Sequence, residues 1–506
     1  MAPVTAVRAR VQLIGAWIAI ATGAICLLTA GGSMTSTDAV VAYDLTQGLV
    51  ERHSIALSHS VLGNEAYQGV DGRYYSGFGL AQSIWNIPFY LAGRAVASHV
   101  HRADTAAAIP KAVVVLGTIP AVALLCWSAF SLLVTLGATV RPAAAIALLL
   151  LVATPYWPYS GFGFNQPLAG LLLWTGVHAA VRARRGSAAA AAACGLLAGV
   201  LILTRHEMFI AAALMVTYIA VEPPRLHLRR VAAFAAGFAP LVALWGAYNW
   251  IRFGSPLQMG YLRDGTIGWG GSIVTGTLGL LFSSYSSIFL YCPLLLLSAA
   301  GLAALWRRDR ATTLLFVTIL VALFCVYASV GVWQGGRAYG PRHLVPVLPA
   351  LILPLAFWRA ATPWRRRAAA VLVGISCLVQ LPGVLVDYSK VRVALARAGE
   401  TVPQDMRWSR SPQLLNTRAA IDVIPPALAT LAGIRPVERV PASANLNEAF
   451  TATPVPDLWW YSLLCLGVIG RGFAVAIPAA LIAVAMAALL QVHRLSRAAA
   501  ALEIHE

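Results

Sequence analysis

The amino-acid sequence predicts an all-α polytopic membrane protein with about 12 transmembrane helices. Hydrophobic residues make up 59% of the 506 residues and charged residues only 11%, whereas an average soluble domain contains about 25% charged residues. The apolar residues also recur in blocks of roughly 20, the length of a helix that crosses a bilayer. A chain with so little charge cannot cover a soluble surface, which excludes a cytosolic enzyme, a disordered protein and a small secreted domain.

Basic residues form short clusters between the apolar blocks and determine the predicted orientation. The chain contains 37 Lys and Arg against 19 Asp and Glu, a net charge of +18. Arginines cluster at positions 182–185, 225–230, 307–310 and 365–367. Such clusters are typical of the cytoplasmic loops of membrane proteins. The basic charge therefore indicates membrane topology and no nucleic-acid partner.

Twelve apolar stretches are predicted to cross the membrane, with both termini in the cytoplasm. Arg8 and Arg10 place the N-terminus inside. The first stretch is predicted to be a retained span, because it is long for the core of a cleaved signal peptide. The predicted spans are residues 11–30, 112–137, 143–158, 165–181, 188–204, 207–221, 232–251, 286–305, 312–330, 344–358, 368–386 and 473–492.

Two further apolar stretches, 79–100 and 458–470, are predicted to lie on the membrane surface. If 79–100 crossed, every later arginine cluster would fall outside, against the positive-inside rule. Pro88, Arg94 and His99 also suit an interfacial helix better than a span. The predicted divisions are a membrane region 1–386 with its first outer loop at 31–111, a Pro-rich extracytoplasmic segment 387–457, and 458–506 with an interfacial helix and the last span.

The stretch 36–55 contains a carboxylate that is a candidate for catalysis. Ser36 or Thr37 can cap a helix whose first turn holds Asp38. Apolar residues follow at a spacing of four, so we expect an amphipathic helix on the outer surface, with Asp38 at the boundary between bilayer and water. The alternative is an aspartate that only complements the helix dipole. Asp44 lies about 120° around the helix from Asp38, so the two do not form an acid/base pair.

The outer loop 333–343 contains two arginines and a histidine among glycines: Arg337, Arg342 and His343. Guanidinium groups can clamp a phosphate with two parallel hydrogen bonds. Trp333 is placed to stack on a sugar or to anchor the loop at the interface. The alternative is an interfacial loop with arginines that extend to water.

Other candidate residues lie at predicted outer ends of spans or in outer loops, where ionisable groups are functional candidates by default. Arg205 and Glu207 end one span and are also placed to pair with each other. Asp71 and Gly72 mark a tight turn, for which a purely structural role is the alternative. The further candidates are Arg73, Tyr75, Gln82, Arg252 and Tyr339.

Taken together, these pieces resemble the GT-C superfamily of polytopic glycosyltransferases. The resemblance is to the bacterial phospholipid-carrier-dependent group related to protein mannosyltransferases and lipid A aminoarabinose transferases, and it covers most of residues 10–360. The matching positions are Asp38, Asp-Gly-Arg-Tyr-Tyr-Ser at 71–76 with Gly79, Gln82 and Pro88, Thr-Pro-Tyr-Trp-Pro-Tyr-Ser at 154–160, Asn-Trp-Ile-Arg-Phe-Gly-Ser-Pro at 249–256, and Gly-Gly-Arg-Ala-Tyr-Gly-Pro-Arg-His-Leu at 335–344.

The resemblance implies a GT-C-like fold with interfacial helices in the first outer loop and a catalytic region at 1–386. It implies transfer of a sugar from a polyprenyl-phosphate donor to a glycan, lipid or protein acceptor, on the extracytoplasmic side of the bacterial cytoplasmic (inner) membrane. Asp38 is then the general base of an inverting displacement. The residues implied to bind the donor phosphate and sugar are Arg337, Arg342, His343, Trp333, Tyr339, Arg252, Arg205, Glu207, Arg73, Tyr75 and Gln82.

Two departures from the family pattern affect the cofactor prediction. Ala39 follows Asp38 where many relatives have Glu, and Asn165 and Gln166 precede Pro167 where many have an acid. Because divalent metals prefer carboxylate oxygens, no metal or other cofactor is predicted. The same departures leave open a divergent or inactive relative.

Two alternative functions remain. One is a transporter or flippase of lipid-linked sugars, which would show internal repeats and charges near the midplane of the membrane. The sequence shows no internal repeat, and its ionisable residues cluster at the outer edge. The other alternative is a non-catalytic protein of envelope assembly.

Overall fold

The computed structural model describes residues 2–58, 66–222, 224–260, 270–336, 338–399, 407–440 and 455–503. Regular structure in these ranges is almost entirely helical. The strands in the same ranges form two short antiparallel pairs, one between Ala66–Gln68 (β1) and Tyr74–Ser76 (β2), the other between Val221–Glu222 (β3) and Arg225–Leu226 (β4). The predicted all-α class is confirmed.

The described residues of the first half of the chain form ten helices of more than one turn. In chain order they are α1 (Ala2–Thr29), α2 (Thr37–Gln47), α3 (Ala81–Ala97), α4 (Ala103–Leu116), α5 (Thr118–Thr135), α6 (Val140–Val152), α7 (Gln166–Arg184), α8 (Ala188–Thr204), α9 (Phe209–Ala220) and α10 (Leu228–Phe253). A π-helical turn, Gly48–Arg52, follows α2, and a helical turn, Tyr156–Tyr159, follows α6.

The second half contains both long helices and runs of short turns. The longer helices in its described ranges are α11 (Ile273–Phe282), α12 (Ser298–Arg308), α13 (Arg310–Ala328), α14 (Pro363–Leu385), α15 (Tyr388–Arg397), α16 (Pro412–Leu431), α17 (Trp459–Cys465) and α18 (Arg471–Glu503). Short turns fill Ile288–Leu297 before α12 and Arg342–Phe357 before α14.

Polar caps fix where many of these helices begin. The side chains of Ser36, Ser187, Asp309, Asp387 and Ser411 each accept a hydrogen bond from a backbone N–H in the first turn of the helix that follows. A free N–H at a helix start costs stability unless such a cap pairs it. Ser36 is therefore the cap of α2, one of the two that the sequence predicted.

Within the residues that the structure describes, six helical segments are long and apolar enough to cross a membrane by length and composition: Ala9–Thr29, Ala103–Thr135, Leu228–Phe253, Arg310–Ala328, Pro363–Leu385 and Arg471–Ala499. Shorter apolar helices accompany them at Val140–Val152, Ala188–Thr204, His206–Ala220 and Ile273–Phe282. The chain is therefore an integral polytopic membrane protein. The count of about twelve spans stays a prediction.

The two stretches that the charge pattern assigned to the membrane surface are short in the structure. α3 has 17 residues and contains Pro88, and α17 has seven residues. Neither is among the helices apolar and long enough to span. Their position at the membrane surface stays a prediction.

The prediction of α2 as an amphipathic helix on the outer surface is wrong in one respect. Seven of its eleven residues are buried, Val41 and Leu45 on one side and Tyr43 and Asp44 on others. α3 and α4 cover the helix. The first outer loop therefore folds over α2, and the helix does not lie on an open surface.

Two predicted spans are interrupted. The stretch 286–305 breaks into Ile288–Tyr291, Pro293–Leu297 and the start of α12, and the stretch 344–358 consists of three successive short turns. Pro293 begins one of the new turns, and prolines recur in the second stretch. Proline has no N–H to donate and clashes with the preceding turn, which accounts for both interruptions.

The hydrophobic core lies between α5, α7 and α8 and extends to the Arg342–Phe357 turns. Trp174 on α7 is fully buried there. Its ring meets Phe316 of α13 at 4.9 Å between centroids, and its indole N–H donates to the Pro346 carbonyl at 2.8 Å. These contacts fix the Arg342–Phe357 turns against α7, and so fix the loop that precedes them.

Candidate active site

Polar side chains from distant parts of the sequence meet at one end of the helical bundle. Asp38 lies in the first turn of α2, just beyond α1. Gln166 is the first residue of α7, Arg205 caps the end of α8, Tyr327 lies in the last turn of α13, and Arg342 begins the Arg342–Phe357 turns. Because successive helices run in opposite directions, these alternating starts and ends fall at the same end of the bundle.

Asp38 and Arg342 form an ion pair between their carboxylate and guanidinium groups. The side chains are 14% and 13% exposed, so the pair is largely shielded from solvent but not sealed from it. The Arg342 guanidinium also lies 4.5 Å above the Phe164 ring. The acid of the first outer loop and an arginine of the Gly-rich loop thus share one cleft, as the sequence predicted.

The backbone at position 335, seven residues before Arg342, requires a glycine. Gly335 has a φ of +80°, a conformation that side chains rarely adopt, and a Cβ there would lie 2.9 Å from the Arg342 Cβ. The Gly335 carbonyl also accepts a hydrogen bond from Arg342 Nη1 at 3.3 Å. The loop can therefore turn back on itself and present Arg342 to Asp38.

Gln166 links Arg342 to a second arginine. In the amide orientation that satisfies its neighbours, the Gln166 side-chain oxygen accepts from Arg342 Nε and from Arg205 Nη1, both at 3.0 Å. Gln166 is fully buried. Arg205 Nη1 also donates to the Asn165 side-chain oxygen at 3.1 Å. Two guanidinium groups therefore converge on neutral amide oxygens at the start of α7.

The second arginine has its own carboxylate. Arg205 Nε pairs with Glu207 Oε1 at 2.7 Å, and the Tyr327 hydroxyl donates to the same oxygen at 2.8 Å. The Tyr327 ring stacks on His343 with 5.2 Å between centroids and 16° between planes. The network of Asp38, Arg342, Gln166, Arg205 and Glu207 is balanced in charge, with two cations and two anions.

Burial changes the proton affinity of the loop residues. Desolvation lowers the pKa of Arg342 to about 10, so its guanidinium stays positive at neutral pH. Desolvation, together with the charges of Arg205 and Arg342, lowers the pKa of His343 to about 3. The imidazole is therefore neutral, and its Nδ1 is buried without a hydrogen-bond partner. A neutral ring nitrogen beside the arginines suits a contact with a hydroxyl group.

The contacts of Arg252 support the fold. It is fully buried and stacks at 3.6 Å on the Tyr248 ring. Its guanidinium donates to the Asn249 side-chain oxygen at 2.6 Å and to the Ser76 carbonyl, and its own carbonyl accepts from Val70 N–H at 3.0 Å. Arg252 therefore holds the β1–β2 hairpin on the end of α10. These contacts do not join it to Asp38.

Three other predicted residues have polar contacts that do not include Asp38 or Arg342. Arg73 is exposed and pairs with Asp71 at 2.7 Å, and the Tyr75 hydroxyl donates to the same carboxylate at 2.7 Å. Gln82 donates to the Asn86 side-chain oxygen at 3.0 Å and keeps a buried amide oxygen without a partner. These contacts are local to the first outer loop.

The remaining loop residues support the fold of the loop. The Trp333 ring lies against the backbone of Gly279 on α11, where a Cβ would come within 2.3 Å of it. The Tyr339 hydroxyl donates to the Val379 carbonyl of α14 at 2.5 Å. Arg337, predicted to bind the donor phosphate, lies outside the described residues.

One polar cluster near the site was not predicted. Thr35, three residues before Asp38 on the chain, donates a hydrogen bond to Asp387. Asp387 N–H donates to Asp457 at 2.6 Å, and Lys390 pairs with Asp457. The Asp387 carboxyl is buried near Asp457, and both effects raise its pKa to about 6. The two ends of segment 387–457 are thus attached to the stretch of chain that leads into α2.

The donor atoms at this site do not fit a divalent metal. Such ions take several oxygen ligands, preferably carboxylates. Asp38 is paired with Arg342, and the amide oxygens of Asn165 and Gln166 accept from arginines. Among the residues that the structure describes, no group of three or more His, Cys, Asp or Glu is suited to holding a metal ion.

Comparison with known proteins gives distant structural likeness and no sequence match. No family model and no curated protein matches the chain. ArnT from Cupriavidus metallidurans in the apo state is 14% identical with a TM-score of 0.45, over 96% of this chain and 76% of that one. The Archaeoglobus fulgidus oligosaccharyltransferase is 13% identical with a TM-score of 0.47, over 78% of this chain and 58% of that one.

ArnT occurs among these neighbours in a second state as well. A second structure of ArnT, bound to undecaprenyl phosphate, is 15% identical with a TM-score of 0.46. The chain spans less than two thirds of the oligosaccharyltransferase. TM-scores below 0.5 and identities below 25% do not assign an activity to this chain.

Proposed function

We propose that this protein is a membrane glycosyltransferase that moves a sugar from a polyprenyl-phosphate donor to an envelope glycan, lipid or protein. The supporting observation is the pairing of Asp38 with Arg342 and its continuation through Gln166 to Arg205. A displacement at a phosphate-activated sugar needs one base and cations for the phosphate, and this network contains both. The proposed location is the bacterial cytoplasmic membrane, with the site facing outside.

The proposed reaction is a single inverting displacement. The acceptor hydroxyl oxygen bonds to the anomeric carbon, and the bond from that carbon to the phosphate oxygen breaks with its electron pair on the phosphate. The hydroxyl proton passes to the Asp38 carboxylate, which acts as general base. Polyprenyl phosphate leaves as an anion held by Arg342 and Arg205, so no general acid is required.

The ion pair between Asp38 and Arg342 determines the order of donor binding and proton transfer. A carboxylate paired with a guanidinium is a weaker base than a free one. A donor phosphate that binds Arg342 competes with Asp38 for the same nitrogens. Donor binding therefore releases the carboxylate toward the acceptor, and the base becomes effective only when the leaving group is in place.

The position of the network favours a transferase over a transporter. Its residues lie at the ends of helices, at one boundary of the bundle. A transport pathway typically places its ionisable residues near the midplane. A non-catalytic role in envelope assembly would require the bound lipid but not the base. Substitution of Asp38 therefore distinguishes that role from catalysis.

The test uses a strain that lacks the protein and is complemented with the wild type, Asp38→Asn or Asp422→Asn. Asp422 is exposed on α16 and provides a control with the same change of charge. Envelope glycans and polyprenyl-linked sugars are compared by mass spectrometry. We expect the glycan product to be lost and its polyprenyl-phosphate sugar to accumulate with Asp38→Asn, while Asp422→Asn restores the wild-type pattern.

Wild-type glycan in the Asp38→Asn strain would exclude Asp38 as the base. An unchanged glycan and lipid profile in the deletion strain would exclude the glycosyltransferase function altogether. Accumulation of lipid-linked sugar on the cytoplasmic face alone, with full transfer activity in broken cells, would point to a flippase.

A further inference from the structure

A crevice of 340 Å³ opens between α6 and α18, away from the candidate active site. Its α6 wall is formed by positions 141, 144, 145 and 148, and its α18 wall by positions 489, 492, 493, 496 and 497. Both sets follow the three- and four-residue spacing of a single helix face. The crevice is therefore a regular groove between two packed helices and not an irregularity of a loop.

The mouth and the floor of the crevice differ in chemistry. Arg141, His493 and Arg497 supply basic groups, and no acidic side chain lines the crevice. The structure gives none of the three an ion pair or a side-chain hydrogen bond within its described ranges. The floor consists of apolar side chains, namely Ala144, Ala145, Leu148, Leu489 and Val492.

A buried hydroxyl group in the crevice has no partner. Ser496 is only 4% exposed, and its Oγ makes no hydrogen bond. A serine within a helix can usually donate to the carbonyl four residues earlier. A buried polar atom without a partner is costly, so this hydroxyl is an independent indication that a polar ligand group occupies the crevice.

The crevice lies at the end of the bundle opposite Asp38. Arg141 is the second residue of α6, and the far end of that helix leads to Phe164, beneath Arg342. His493 lies on α18 beyond Arg471, at a distance of about 33 Å along a helix with a rise of 1.5 Å per residue. Arg308, which donates to the Leu136 carbonyl at 3.1 Å, lies at the same end.

We propose that this crevice binds the phosphate headgroup of an anionic phospholipid from the leaflet opposite the candidate active site. Arg141, Arg497 and the Ser496 hydroxyl hold the phosphate oxygens, and His493 supplies a further ring nitrogen. The apolar floor contacts the part of the acyl chains next to the glycerol. Basic pockets between helices on the cytoplasmic side recognise anionic lipids by this combination. The proposal is independent of the transferase function.

The test measures lipid binding to the purified full-length protein in a neutral detergent. Phosphatidylglycerol, phosphatidylcholine and inorganic phosphate are titrated separately, with retained lipid read by native mass spectrometry and protection read by the thermal unfolding midpoint. We expect phosphatidylglycerol to bind at least tenfold more tightly than phosphatidylcholine. Arg141→Gln with Arg497→Gln should abolish this preference, while Arg366→Gln, an exposed arginine of α14, should keep it.

A third variant keeps the test valid if the double variant is poorly folded. Ala145 is exposed and lines the crevice, so Ala145→Phe fills the space without changing a charge, and it should reduce phosphatidylglycerol binding tenfold. Equal binding of phosphatidylglycerol to wild type and to both crevice variants would overturn the proposal. Protection by inorganic phosphate equal to that by phosphatidylglycerol would assign the site to free phosphate and overturn the lipid.

Discussion

Replacing Asp38 with asparagine should have opposite effects on donor binding and on transfer. The change removes a charge and keeps the shape of the side chain. Arg342 then retains the Gln166 oxygen at 3.0 Å and the Gly335 carbonyl at 3.3 Å but has no carboxylate. A polyprenyl phosphate therefore meets a guanidinium without a competing anion, while the acceptor hydroxyl meets an amide that cannot take its proton.

The size of the binding effect follows from the burial of the pair. Exposed ion pairs contribute about 0.2–1 kcal/mol, and hydrogen bonds to charged groups about 1.5–3 kcal/mol. With side chains 14% and 13% exposed, the Asp38–Arg342 pair falls between these cases, at about 1–2 kcal/mol. Because 1.4 kcal/mol corresponds to a tenfold change in affinity, Asp38→Asn should bind polyprenyl phosphate about 5–30 times more tightly.

The measurement is a titration of undecaprenyl phosphate into purified wild type, Asp38→Asn and the control Asp422→Asn, at one ionic strength. The thermal unfolding midpoint of each variant shows whether it is folded. Tighter binding together with lost glycan product in the complemented strain is the expected result. Weaker binding by a well-folded Asp38→Asn would refute the competition between Asp38 and the phosphate for Arg342.

Three other predictions test the rest of the network. Arg342→Gln should weaken undecaprenyl phosphate binding by about 1.5–3 kcal/mol, or roughly 13- to 160-fold. Arg342→Lys should weaken it by less, because lysine keeps the charge but loses the planar fork. Equal affinity of Arg342→Gln and wild type would contradict this. Gln166→Glu adds a third anion beside Arg342 and Arg205, and should lower donor affinity about tenfold in the same titration. The raised pKa of Asp387, about 6 against 3.8 unfolded, means that the folded state binds more protons between these values. Wild-type stability should therefore fall as pH rises from about 4 to 6, and a flat profile of the unfolding midpoint is expected for Asp387→Asn.

The charge pattern allowed a prediction for the first outer loop because the positive-inside rule applies to the whole chain at once. A single extra crossing at 79–100 would have reversed the side of every later arginine cluster. The 17-residue α3 with its internal Pro88 agrees with the absence of that crossing. The burial of α2 could not be predicted in this way, because periodicity indicates only that one face is apolar. The covering α3 and α4 come from residues more than thirty positions later.

The breaks within predicted spans were harder to predict than the spans themselves. Apolar composition over 286–305 is the same whether the segment is one helix or three short pieces. Pro293 marks the break, yet Pro240 lies inside the unbroken α10 and Pro478 inside α18. Whether a proline ends a helix depends on what its neighbours can supply to the freed backbone groups. Those neighbours are known only from the tertiary structure.

The charged residues of the candidate site were predicted from the sequence, and its neutral residues were missed. Asp38 and Arg342 share a predicted outer location and a resemblance to one family, and the structure pairs them. Gln166 is uncharged and lies where an acid was expected, so nothing in the sequence identified it as the link between two arginines. Arg252 shows the reverse case, because Tyr248 one turn earlier provides the aromatic face on which a structural arginine packs.

The balance of charge in the network explains how such a site can exist at the edge of a membrane. Two guanidinium groups without carboxylates would be costly to hold in a cleft of low polarity, and two carboxylates alone would be equally so. Arg205 keeps Glu207, which also accepts from Tyr327 and is thereby held in place. Asp38 is held by its ion pair with Arg342 and sits at the start of a helix. An incoming phosphate therefore displaces Asp38 more readily than Glu207, and the acid released is the one in the first outer loop.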